Sequence, residues 1–181
     1  MKPSPLRLDW VCYPRLSYEA RMQEAKPSPV PTRIKAAVMF NADGLHFADL
    51  SLESAGDSGS AYTFSVQVVA TFGFDRDIAL QSYRCRPVDL PHILSANVAR
   101  VLYSGARELL ATATGRAPHG PLMIESVLIE PHDVEISSRE PMEVILREVF
   151  GVEGPGKDEG ALPKESTSRD GKRGTRKKPQ G

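Results

Sequence analysis

The segment AYTFSVQVVATFGFD, residues 61–75, constrains the fold more than any other stretch of the chain. Tyr62, Phe64, Val66, Val68, Ala70, Phe72 and Phe74 share one parity, and Ala61, Thr63, Ser65, Gln67, Val69, Thr71 and Gly73 share the other. Successive side chains of a strand point to opposite faces, so this pattern predicts a long strand with one strongly buried face. Such a strand needs paired neighbours and a layer that covers its apolar side.

The flanking segments supply the neighbours. LRLDWVC and RLSYEARM carry short alternating patterns separated by Pro14, which predicts two short strands. KPSPVP, Lys26 to Pro31, reads as an extended Pro-rich connector. TRIKAAVMF then places Ile34, Ala36, Val38 and Phe40 on one face. Asp43-Gly44 marks a turn, LHFADLSLE resumes with Leu45 and Phe47, and SAGDSGS is a loop by composition. After the polar turn Asp75-Arg76-Asp77, IALQSYRCR is expected to return as another antiparallel strand.

The period then changes. From Leu94, apolar or small residues recur at Val98, Val101, Leu102, Gly105, Leu109 and Ala113, which is helical spacing. Asp89 is placed to cap this helix with Pro91 in its first turn, and Gly115 and Pro118 stop it. The apolar run PLMIESVLIEP follows, bounded by prolines, and then HDVEISS. A shorter helix, PMEVILREVF, sets Met142, Ile145, Leu146 and Val149 on one side. The expected class is α+β, an antiparallel four-stranded sheet with one long helix and a shorter C-terminal helix packed on it.

Charge divides the 181 residues into two parts. Residues 154–181 carry eight Lys or Arg against four Asp or Glu, a net +4, while the preceding 153 residues carry 15 basic and 19 acidic side chains, a net −4. The boundaries expected are a folded domain over 1–153 and a disordered basic tail over 154–181, too poor in apolar residues to offset its ordering entropy. The tail's KRGTRKK stretch suits nucleic acid, anionic lipid or an acidic protein, and equally a purely solubilising role. Arg7, Asp9 and Arg15 interrupt any signal-like apolar run at the N-terminus, and no segment has the length of a membrane span, so a cytoplasmic location is expected. Two cysteines, Cys12 and Cys85, fit a reducing compartment; a single disulfide between them stays open.

Chemistry is harder to find. His46, His92, His119 and His132 lack Cys or acidic partners at metal-ligand spacing, with HDVE at His132 the nearest approach, so no metal and no cofactor is expected. GxSxG, GxGxxG and Walker-type motifs do not occur, and the Ser of GDSGS sits in a polar loop. Arg107 and Glu108 are sequence neighbours on a helix and point about 100° apart, which suits structural contacts better than a catalytic pair. The chain is therefore read as a binding module rather than an enzyme.

The stretch NVARVLYSGARELLATATGRAPHGPL resembles the SecB chaperone family, in which a long helix carries an Asn-Ala-Pro stretch, then Leu-Phe/Tyr-Pro-Tyr and an Arg-Glu pair. Asn97, Leu102, Tyr103, Ala106, Arg107 and Glu108 match that order, and Gly115, Pro118, Pro121 and Leu122 match the helix exit. RLSYEAR looks like the family's first strand and AYTFSVQVVATFGF like its long third strand, so the resemblance covers residues 5 to 135. It departs at Ser104 and Gly105, which stand for Pro-Tyr, and at Ala99, which stands for Pro.

The resemblance implies an ATP-independent holdase for unfolded polypeptide, assembled as a homotetramer, a dimer of dimers, and active in protein export. The apolar exit residues Leu122, Met123, Ile124, Val127, Leu128 and Ile129 are its candidate client-binding surface, weighed equally against plain core or subunit interface. A client extended along a sheet edge would add main-chain hydrogen bonds. Asn97, Leu102, Tyr103, Arg107 and Glu108 are its structural helix motif. Family tails are acidic and help bind the translocase motor SecA; the basic tail here points away from SecA and toward another client, such as an antitoxin. The competing expectation is a structural or assembly protein whose tail binds nucleic acid or an acidic partner.

Overall fold

The computed structural model describes residues 4–21, 30–55 and 60–152. The basic tail, most of the Pro-rich connector and the centre of the SAGDSGS loop lie outside the described residues. Five strands form one mixed sheet: β1 (Leu6–Ala20), β2 (Thr32–Phe40), β3 (His46–Ser54), β4 (Tyr62–Phe74) and β5 (Val134–Ser138), in the order β1-β4-β3-β2-β5. Among the described residues three α-helices accompany it: α1 (Arg76–Tyr83), α2 (Leu90–Thr114) and α3 (Met142–Glu148).

The period-two stretch forms β4, and Tyr62, Phe64, Val66, Val68, Ala70 and Phe72 are all buried. Pairing of His46 with Phe72, Ala48 with Ala70, Leu50 with Val68 and Leu52 with Val66 carries that parity into β3. The core face of β3 is therefore His46, Ala48, Leu50 and Leu52; Phe47 is half-buried on the outer face, and Leu45 is exposed before the strand begins. Register with a neighbouring strand overrides the local appeal of Leu45 and Phe47. On β2 the buried parity is Ala36, Val38 and Phe40, with Ile34 half-buried at the near end.

Three expectations change. Pro14 does not divide two strands: β1 is one edge strand, and its register against β4 shifts between Cys12 and Arg15. A proline lacks the amide that a central strand needs, and an edge position with an irregularity accommodates it. IALQSYRCR is not a strand but begins as α1, because the Asp75 side chain accepts from the Ile78 amide at 2.9 Å and caps a helical turn. The sheet is mixed rather than antiparallel and has five strands, because the chain beyond α2 returns beside β2 and pairs with it in parallel, Ala36 with Val134 through Phe40 with Ser138.

α2 covers the inner sheet face with Leu90, Leu94, Val98, Leu102, Ala106 and Leu110, all buried. Each such Leu contributes about 1.5–3 kcal/mol by leaving water. Asp89 starts the helix without a side-chain cap; its carboxylate instead binds Arg86 Nε at 2.8 Å, which holds its pKa below the usual value. At the far end of the sheet Phe150 stacks on Phe74 and meets Phe40 edge-on, which docks the end of α3. Ile145 is buried, and Met142, Leu146 and Val149 pack partly against the same core. Cys12 and Cys85 are both free thiols.

Candidate polypeptide-binding surface

The apolar exit run has neither helical nor strand pairing over most of its length, yet α2 and the sheet edge hold its backbone at successive points. Gly120 adopts φ +75°, which favours glycine, and its carbonyl accepts from the Tyr62 hydroxyl at 2.6 Å. Thr114 Oγ1 donates to the Leu110 carbonyl and receives the Leu122 amide, both at 2.7 Å. The Val30 amide donates to the Met123 carbonyl at 3.1 Å, beside a parallel bridge between Val30 and Ile124. The Tyr103 hydroxyl donates to the Glu125 carbonyl, and Arg100 Nε to that of Ile129 at 2.8 Å. Side chains of α2 thus take the place of a missing strand partner.

This anchoring divides the six candidate residues. Leu122, Ile124 and Ile129 are buried in the core, whereas Met123, Val127 and Leu128 are 59%, 42% and 68% exposed. The outward three are the solvent-facing part of the run, and the inward three contribute only to the floors of neighbouring clefts. Beside them lie two shallow clefts. One, of about 270 Å³, is lined by Ser104, Arg107, Glu108, Ala111, Leu122, Met123 and Ile124. The other, of about 250 Å³, is lined by Thr32, Ile34, Val127, Ile129 and Asp133.

The helix motif residues fall into separate roles. Leu102 is core. Tyr103 is buried against the exit run, and that burial raises its hydroxyl pKa, with Glu125 adding to the effect and Arg107 opposing it. Asn97 Oδ1 accepts from Arg100 Nη1 at 3.1 Å and steadies the guanidinium that holds Ile129. Arg107 lies over the Tyr103 ring, 5.7 Å from its centroid, a contact within the helix at i,i+4 spacing. The contact made by Arg107 thus lies within its own helix, and Glu108 is exposed at the rim of the first cleft.

The sequence reading missed a second apolar surface. Among the described residues β1, fifteen residues long, pairs only with β4 and leaves its outer edge open, and Trp10, Val11, Tyr13, Leu16 and Tyr18 are all exposed. Tyr18 donates its hydroxyl to the Ala113 carbonyl at 3.1 Å, and the Tyr13 hydroxyl lies 3.4 Å from where a Cβ on Gly105 would be. The signal was present in LRLDWVCYPRLSY, where apolar residues occupy both parities. A single buried face does not need that arrangement. The opposite edge, β5, has five residues and exposes Glu135 and Ser137. Short polar edges resist pairing, and long apolar ones invite it.

Comparison with known proteins gives structural neighbours only. No protein-family model matches the sequence, and no curated protein matches it. The fold is similar to that of a SecB-like chaperone. That solved structure is the Mycobacterium tuberculosis SecB-like chaperone in complex with a ChAD peptide from the HigA1 antitoxin, at 15% identity and a TM-score of 0.46. The match covers 68% of this chain and 88% of that one. A protein of unknown function from Streptococcus agalactiae is similar over 67% of this chain and 97% of its own, at 14% identity and a TM-score of 0.39. Among the described residues no helix is long and apolar enough to cross a membrane, and no three His, Cys, Asp or Glu side chains are grouped to hold a metal ion.

Proposed function

We propose that the chain is an ATP-independent holdase that binds non-native polypeptide through Met123, Val127 and Leu128 and the clefts beside them. The observation that carries this reading is the division of one anchored, extended run into inward core residues and outward apolar ones. A flexible apolar loop would collapse onto the body. A held one presents its side chains to water continuously, at a cost that burial against a partner recovers. Methionine suits such a surface because its unbranched side chain repacks against varied shapes. The client is a cytoplasmic one, either a protein destined for export or a dedicated partner such as an antitoxin. The basic tail weighs against coupling to SecA.

The open β1 edge supports assembly of the chain with itself, as a homotetramer built from two dimers. Five exposed apolar side chains and a ladder edge that pairs with no other strand among the described residues are the groups a second copy would cover.

The test is suppression of aggregation of a chemically unfolded protein at equimolar ratio without nucleotide. Suppression that weakens in the Met123→Glu, Leu128→Glu double variant supports the reading, and no suppression by the unaltered chain ends it. The assembly-protein alternative is favoured by the net +4 of residues 154–181. It predicts salt-sensitive binding to nucleic acid or an acidic protein that disappears when those residues are removed.

A further inference from the structure

Past the C-terminal end of β2, at the opposite end of that strand from Val30 and Ile124, lies a cleft of about 620 Å³ that the exit run does not line. His46 lines it and is 3% exposed. The Asn41 amide donates to His46 Nδ1 at 3.3 Å, so the neutral ring carries its proton on Nε2. Among the described residues Nε2 has no hydrogen-bond partner. It is not sealed either, because the enclosed side-chain polar atoms without a partner are Asn41 Oδ1 and Glu140 Oε2. A ring held among Phe40, Phe72 and Phe74 thus keeps one N–H open to the cleft.

Two guanidinium groups join it. Arg7 and Arg76 line the same cleft, and each sits over a glycine. A Cβ on Gly73 would lie 3.5 Å from Arg7 Nη2, and one on Gly151 would lie 2.6 Å from Arg76 Nη1. Each arginine donates from Nε to a neighbouring carboxylate, Arg7 to Asp9 and Arg76 to Asp77, and its terminal nitrogens hydrogen-bond to none of the described residues. Two carboxylates also line the cleft. Asp75 Oδ1 caps α1 and Glu148 Oε1 accepts from Arg147, which leaves one oxygen of each acid over. With two cations and two anions around it, a ligand of single charge meets a repulsive pair for every attractive one. A ligand that carries both charges meets a partner for each.

We infer that this cleft binds a small zwitterion, a carboxylate with an ammonium beside it, which is the chemistry of a free amino acid. The carboxylate takes the His46 Nε2 proton and the terminal nitrogens of Arg7 and Arg76, whose planar forks match its two oxygens. The ammonium takes the remaining oxygens of Asp75 and Glu148, and Phe74 and Val149 offer an apolar wall to the side chain. The volume lies within the range of about 300–1,000 Å³ common to small-molecule sites. Met123, Val127 and Leu128 take no part, so the site stands independently of the holdase reading.

The test is isothermal titration of the full chain with each common free amino acid. The tightest is then compared with its N-acetyl and carboxamide derivatives, and acetate and ethylammonium serve as single-charge probes. At least one amino acid is expected to bind, and both derivatives to bind about tenfold more weakly or worse, the loss for a charged hydrogen bond. Arg7→Gln is expected to cost as much, and its side chain is 79% exposed, so the fold does not depend on it. His46→Phe keeps the ring and removes the donor, with the same expected loss, and a shift of the His46 Nε2 resonance on titration places the ligand. Failure of every amino acid to bind overturns the inference, as does unchanged affinity in Arg7→Gln and His46→Phe. Acetate binding as tightly as the best amino acid overturns the zwitterion in favour of a bare anion. Aggregation suppression is expected to be the same in Arg7→Gln as in the unaltered chain.

Discussion

Arg100 on α2 donates from Nε to the main-chain carbonyl of Ile129 at 2.8 Å, and its Nη1 is braced by Asn97 at 3.1 Å. One charged side chain thereby fixes the far end of the exit run, while Tyr103, one turn further along α2, fixes the carbonyl of Glu125. The proposed surface is rigid because a helix supplies its hydrogen bonds.

Removal of that charge leaves the Ile129 carbonyl unpaired. Arg100→Leu is expected to lower stability by about 1.5–3 kcal/mol, the range for hydrogen bonds to charged groups. Urea denaturation checks the magnitude, and faster amide exchange localised to residues 125–130 checks the place.

The inward and outward residues of the run are expected to respond in opposite ways. Ile124→Ala opens a cavity in the core and costs about 2–5 kcal/mol. Met123→Ala, next to it and 59% exposed, changes stability by no more than about 0.5 kcal/mol but weakens client capture. Denaturation midpoints and aggregation assays run on both variants separate the two effects.

His46 predicts a pH dependence. Its ring sits among Phe40, Phe72 and Phe74, with centroids 5.2–5.3 Å away, and Nδ1 accepts from the Asn41 amide at 3.3 Å. Burial pushes its pKa below the ordinary 6.5, and the Asp43 carboxylate opposes this more weakly. Arg7, Asp75, Arg76 and Glu148 line the adjoining cleft. Below pH 6.5 the unfolded chain takes up a proton that the folded chain resists. The His46 contribution is therefore complete above that pH and is lost as pH falls toward the depressed folded value. Thermal melting between pH 7 and pH 5 is expected to show this fall, and His46→Phe to flatten it.

Self-association is expected to depend on β1. Val11→Lys with Leu16→Lys places like charges on an edge that would pair with its own copy. Light scattering is expected to show an assembly larger than the 19.8 kDa chain, reduced by the double variant to that mass. A monomer before substitution would remove the case for a homotetramer.

Much of the fold is written in local pattern. The buried parity of β4 and the full length of α2 follow from spacing, because each is long enough for its own periodicity to outweigh context. α1 was misread because eight residues hold too few periods, and the Asp75 cap decides between helix and strand. β5 was missed as a parallel partner because nothing in HDVEISS refers to Ala36, nearly a hundred residues earlier. The candidate site was located but not resolved: six apolar residues in a row carry no mark of which three face inward.

The sequence by itself determined the buried parity of β4, the extent of α2 and the apolar character of the exit run. Tertiary structure decided the rest. Arg100, Tyr103 and Thr114 of α2, with Tyr62 of β4, hold single carbonyls and amides of that run, and their placement accompanies Leu122, Ile124 and Ile129 facing inward and Met123, Val127 and Leu128 outward. An extended segment without a strand partner has no intrinsic orientation. Only the groups that satisfy its backbone can assign one.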